Sequence, residues 1–185
     1  MEFKQQLRRP LLTAILFSVG RSRKQVTQIE ARFPSAHPRE ISQRLIDGKK
    51  IRAGAVGGMT GVFGIASIPA DWLAMLWLQV ELLVEIATVY RVNLKSEPAR
   101  VELLDLFGHA NGIGPVERIS PLLAARLASR LLRAGKLSFV SRAVPVVAAP
   151  LAAYLNHRHI QLIGETAIKH YEGFHRARAK LSAKL

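Results

Sequence analysis

Between Asp71 and Tyr90 the chain reads DWLAMLWLQVELLVEIATVY. Its apolar residues cover nearly every side of a helix rather than one stripe. A helix of that kind, expected over about residues 69–91, has to be surrounded by other helices. Pro69 suits its first turn, where a missing N–H costs nothing. Ser67 or the adjoining backbone supplies a cap, and Asp71 sits where the helix dipole favours an anion.

The rest of the chain supplies the surrounding helices. Leu7, Leu11, Ile15, Val19, Val26, Ile29 and Phe33 recur mostly at threes and fours, one face of a helix over 3–33. Pro10 and Gly20 are places where that helix would kink or divide. PSAHP (34–38) is a turn. Ile41, Leu45, Ile51, Val56 and Phe63 mark a second helix over 39–66, and Val101, Leu104 and Phe107 a shorter one over 97–110. After the break HANGIGP, residues 120–140 read as helix with a basic face of Arg126, Arg130 and Arg133. The run RAVPVVAAPLAAYLN (142–156) follows, then a last helix to about 181 with Ile160, Ile163, Ala167, Tyr171 and Phe174 on one side. No β-alternation persists. The 185 residues suffice for one domain and are marginal for two. We read an all-α chain of six or seven helices in a single compact unit. Residues 1–36 form a basic amphipathic N-terminal region, and 37–185 form the helical domain proper.

Glycine adds a second constraint. Gly54, Gly58, Gly61 and Gly64 step by three and four, with Gly57 beside them, so they share a helix face. Each costs about 0.8–1 kcal/mol of helix propensity relative to alanine, which implies a close contact in return. Ala148, Ala149, Ala152, Ala153 and Asn156 form a second small-residue face. A tight central crossing of the two, with Gly54, Gly58 and Gly61 against Ala149 and Ala152, is expected. A phosphate loop is not, because Ile65 and Ala66 stand where such a loop needs lysine and a hydroxyl. Residues 53–70 are eighteen uncharged residues, the lower limit for a membrane span, but Gly and Ala contribute little to insertion. A buried core helix is the reading taken, with shallow insertion left open.

The same segments resemble the EcsC family of bacterial proteins. That family's pattern is a Gly-rich helix, a Pro-x-Asp, an apolar helix ending in Ile-Ala-x-x-Tyr-Gly, and a Pro-Val-Val-Gly-Ala run leading to Asn. Here the corresponding stretches are GAVGGMTGVFGIASIPADW, LLVEIATVYRVN and RAVPVVAAPLAAYLN, followed by ETAIKHY, over roughly residues 50–175. Arg91 and Ala148 stand where the family usually has glycine. The resemblance implies a helical, cytoplasmic, membrane-associated domain, and it carries no catalytic residues with it.

Net charge is +14 and unevenly spread. Residues 1–52 hold 12 Lys/Arg against 4 Asp/Glu, residues 53–125 hold 4 against 7, and residues 126–185 hold 11 against 2. Basic ends flanking an acidic middle call for an anionic partner: an anionic membrane surface, an acidic protein or membrane-protein complex, or nucleic acid. Lys4, Arg8 and Arg9 lie beside Leu11, Leu12, Ile15, Leu16 and Phe17, which suits an interfacial helix. With Arg21, Arg23, Lys24, Arg126, Arg130, Arg133, Arg176 and Arg178 they are the candidate anion-binding residues. The apolar N-terminal stretch is followed by RSRKQ with no small-residue cleavage site, so a cleaved signal is not expected.

Catalytic chemistry is poorly represented. Cysteine is absent, which excludes disulfides and thiolate chemistry and fits the cytoplasm. The six histidines show no His-Glu-x-x-His spacing, so no metal is expected. No nucleophile elbow is present, and no cofactor is called for. Asp71, Glu81 and Glu85 are the acid candidates. Glu81 and Glu85 lie one turn apart on the apolar helix, where at least one needs a basic partner, and Arg142 is the residue expected to supply it. A structural ion pair is preferred to acid–base work, with Asp71 and Arg142 as its members. Trp72 and Trp77 suit either the core or a membrane-interface edge. The function expected is non-enzymatic: peripheral association with anionic membranes through basic terminal helices. A scaffold docking on an acidic protein, or sequence-independent nucleic-acid binding, are the alternatives.

Overall fold

A computed structural model of the chain describes the backbone of residues 2–63, 68–112 and 145–182, and the side chains of 12–55, 74–112 and 153–174. Among the described residues there are five helices and no strand: α1 (Glu2–Arg32), α2 (Pro38–Phe63), α3 (Ile68–Val89), α4 (Glu97–Ala110) and α5 (Pro145–Ser182). The helix expected over 120–140 lies outside the described residues.

The all-round apolar segment is the central helix. Every residue of α3 from Leu78 to Ala87 is buried, and α3 touches α1, α2, α4 and α5. Leu82, Leu83, Val84 and Ile86 are fully enclosed. Full burial of an aliphatic side chain of this kind stabilises by about 1.5–3 kcal/mol, so this segment anchors the packing of its neighbours. α1 joins the same core through Ile15 and Val26.

Two helices run further than the prolines suggested. α1 passes unbroken through Pro10 and Gly20, and α5 passes through Pro150, merging two expected segments into one of 38 residues. Each proline lies near its helix's N-terminal end and removes a single backbone donor, a local loss. Two faces also turn differently. Ile51 is 75% exposed and Phe174 60%. On α2 the inward row is Ile41, Leu45, Lys49 and Ala53, four residues apart; Ile51 falls off it by half a turn.

α2 makes its most extensive packing with α5, the two helices expected to cross. Where the crossing is described, its glycine is Gly164. A Cβ there would overlap Cγ1 and Cδ1 of Ile46, whereas a Cβ at Gly54 would meet nothing within 4 Å. The surroundings of Gly58 and Gly61 and the side chains of Ala149 and Ala152 lie outside the described residues. Arg39 Nη1 ties the start of α2 to Glu172 on α5 at 2.9 and 3.2 Å. His170 on α5 approaches Glu102 on α4 at 2.6 Å. Tyr90 and Tyr171 stack at 5.7 Å between α3 and α5.

α3 stops at a residue with φ +58, Arg91. Its N–H donates to Thr88 O (3.0 Å), and Val92 N–H to Ala87 O (2.9 Å). This pair of bonds closes a helix with a left-handed residue, normally glycine.

A candidate anion-binding cleft

One face of α1 carries Phe17, Arg21, Lys24, Gln28 and Arg32, in steps of three and four. Its N-terminal end is apolar and its C-terminal end cationic. α1 leans on α3 much more than on α2, which leaves a gap between α1 and α2. Arg21, Lys24, Gln25, Gln28, Ile29 and Arg32 line one wall of that gap and Arg52 of α2 the other, around a cleft of about 440 Å³. All four cationic residues are exposed.

Among the described residues no carboxylate lines this cleft. The acids close to it in the chain are engaged elsewhere. Glu30 meets Arg91 at 2.9 Å and Asp47 meets Lys50 at 3.1 Å. Lys24, Arg32 and Arg52 have no ion pair or side-chain hydrogen bond among the described residues. Arg21 lies 5.1 Å from the ring centre of Phe17, a cation–π contact. Phe17 is 62% exposed and its neighbour Leu16 53%. Trp77 meets Phe17 edge-on at 5.8 Å and is half-buried; it stands at the rim of the core. The side chain of Trp72 lies outside the described residues.

A larger cleft of about 800 Å³ opens between the α1–α2 turn and the end of α3, walled by Phe33, Pro34, Ile41 and Val89. Its charges are already matched, Glu30 with Arg91 and Glu172 with Arg39. Tyr90 borders it, and burial together with the Glu172 charge pushes the phenol up to about 12. That cleft attracts ions of neither sign strongly.

Between α2 and α3 lies a buried charge cluster. Lys49, 1% exposed, forms an ion pair with Glu81 and stands 2.9 Å from Oε1 of Glu85. The Glu85 contact lacks hydrogen-bond alignment, and neither of its oxygens has a hydrogen-bond partner. One ammonium between two enclosed carboxylates leaves an excess negative charge, which an apolar interior disfavours. Burial accordingly pushes Glu85 up from 4.5 to about 7; Lys49 opposes the shift, Glu81 adds to it and Arg52 weakly opposes it. Glu85 is wholly enclosed.

The sequence placed Glu81 and Glu85 in need of a base and assigned Arg142, which lies outside the described residues. Lys49 is the base the fold sets against them. Its signal was present: a lysine at the third place of the row Ile41, Leu45, Lys49, Ala53. Asp71 lies on α3 with its side chain outside the described residues. Of the candidate anion-binding residues, the cleft gathers Arg21 and Lys24. Arg23 is exposed on the same helix but does not line it. Lys4, Arg8 and Arg9 lie on α1, and Arg176 and Arg178 on α5, with side chains outside the described residues. Arg126, Arg130 and Arg133 lie outside them entirely. Arg32 and Arg52 were missed, because only the α1–α2 packing brings them together.

Among the described residues no group of three or more His, Cys, Asp or Glu side chains is placed to hold a metal ion, and no helix is long and apolar enough to cross a membrane. Comparison with protein-family models, curated proteins and solved structures finds no significant match.

Proposed function

We propose that this protein is a non-enzymatic, cytoplasmic protein that associates peripherally with anionic membranes. The observation that carries this reading is the continuity of exposed Leu16 and Phe17 with the cations of the cleft along one face of α1. Magnitudes explain why both parts are needed. A Lys or Arg close to an anionic leaflet contributes about 1 kcal/mol. Four of them give about 4 kcal/mol, which alone corresponds to a dissociation constant near 1 mM. Inserting two large apolar side chains adds about 3 kcal/mol even when they are only partly buried, which brings binding into the micromolar range.

The resemblance to the EcsC family supports the same reading. Position 91, where that family carries glycine, has the left-handed backbone that glycine adopts without steric cost. The close approach of Gly164 on α5 to Ile46 on α2 supports keeping these two helices in the core.

Flotation of the full chain with vesicles tests the proposal. Binding is expected to require anionic lipid, to persist at moderate salt and to drop when Leu16 and Phe17 are both replaced by serine. Both side chains are mostly exposed, so the fold survives the change. Absence of flotation, with salt-sensitive binding to duplex DNA or to an acidic protein instead, would retire the membrane reading.

A further inference from the structure

We propose that the α1–α2 cleft is a binding site for a polyphosphorylated anion, held between Arg21, Lys24 and Arg32 on one side and Arg52 on the other. The inference deepens the membrane reading and rests on it only for the source of the ligand.

Three features favour several phosphates over one. The first is length. Arg21 and Arg32 are eleven residues apart on one helix, a rise of about 16 Å. A single phosphate reaches one or two of these cations and leaves the others without a counterion. The second is composition. Gln25 and Gln28 interleave with the cations. Their carboxamides add neutral donors for phosphate oxygens, while arginine offers its planar two-pronged fork. The third is that, among the described residues, none of these four cations forms an ion pair. Glu30 and Asp47 are drawn to Arg91 and Lys50, and Glu81 and Glu85 are enclosed with Lys49. A cleft of about 440 Å³ is also within the range of small-ligand sites.

A lipid headgroup bearing two phosphates and a soluble polyphosphate share this chemistry. A lipid would place its acyl chains along Leu16 and Phe17, beside the Arg21 end of the cleft.

The test is titration calorimetry of the full chain with inorganic tripolyphosphate and with orthophosphate at fixed ionic strength. Flotation runs in parallel on vesicles of cardiolipin and of phosphatidylglycerol matched for charge. Tripolyphosphate is expected to bind at least about tenfold more tightly than orthophosphate. Arg32→Gln and Arg52→Gln should each weaken it about five- to tenfold, with melting unchanged because both side chains are exposed. Arg23→Gln, equal in charge change but outside the cleft, should alter it less than about twofold. Preference for cardiolipin assigns the ligand to lipid; tight tripolyphosphate binding without that preference assigns it to a soluble anion. Equal losses for Arg23→Gln and the two cleft variants would overturn the site, leaving diffuse charge. So would orthophosphate binding as tightly as tripolyphosphate. Loss of all vesicle binding with tripolyphosphate binding intact would sink the membrane reading and leave the cleft standing.

Discussion

Ile46 and Lys49 lie less than one turn apart on α2 and face different neighbours. Ile46 meets α5, where Gly164 has no side chain and the helices close on apolar surface. Lys49 meets α3, where two carboxylates are enclosed with it. The first seam is specified by shape, the second by charge. Shape is tolerant, because a misfit of a methyl group shifts atoms by fractions of an ångström. Charge inside a core is not, because an unmatched ion has nowhere to be solvated.

Lys49→Met is the strongest way to break that contrast. It preserves volume and leaves Glu81 and Glu85 buried without a counterion, at a cost of about 3–5 kcal/mol near neutral pH. Urea unfolding should show it. Adding Glu81→Gln and Glu85→Leu to the same variant should recover most of the loss, since an uncharged replacement of the whole cluster removes the desolvation penalty of buried ions. A triple variant no better than Lys49→Met would mean the lysine packs rather than neutralises.

Titration of Glu85 sharpens the charged side. Its folded pKa of about 7 lies above the ordinary 4.5, so the folded chain holds this proton more tightly. The stability this proton contributes is complete below pH 4.5, declines as pH rises towards 7 and is absent above it, a span of up to about 3 kcal/mol. Glu85→Gln fixes the neutral form. Its urea midpoint relative to wild type should therefore rise between pH 5 and 8. A constant offset across that range would assign the proton elsewhere.

On the apolar seam, Gly164→Ala forces a Cβ into Ile46. A cost of about 1–3 kcal/mol is expected, reduced by the better helix propensity of alanine. Ile46→Ala should cost less in the Gly164→Ala background than in wild type, because the methyl then occupies vacated space. Additive costs would mean the two residues are not in contact.

Arg91→Gly is the smallest effect. Relief of the left-handed backbone is worth about 1 kcal/mol, and the exposed ion pair with Glu30 that is lost is worth less. A small rise in melting temperature is expected.

The helices were legible where pattern was strong. The segment that became α3 announced its burial by apolar residues on all sides, and α4 matched its expected limits of 97 and 110. The need of Glu81 and Glu85 for a base was equally plain, because two acids one turn apart in an apolar helix have few solutions. The base itself was not. Lys49 lies 32 residues from Glu81, and nothing local to either states that they meet. Gly164 is similar: it and Gly173 are the two glycines of the last helix, nine residues apart, and nothing local marks either as a contact, while the conspicuous glycines at 54–64 drew the expectation.

Sequence by itself determined the periodicity, the central helix, the charge of the ends and the requirement for a buried counterion. All of these follow from local spacing and from the solvation of single groups. The tertiary structure decided which lysine answers the two glutamates, which glycine admits a neighbour, and that Arg32 and Arg52 share a cleft with Arg21 and Lys24. Those are relations between helices, set by how α1 and α2 each lean on α3 and how α2 packs on α5.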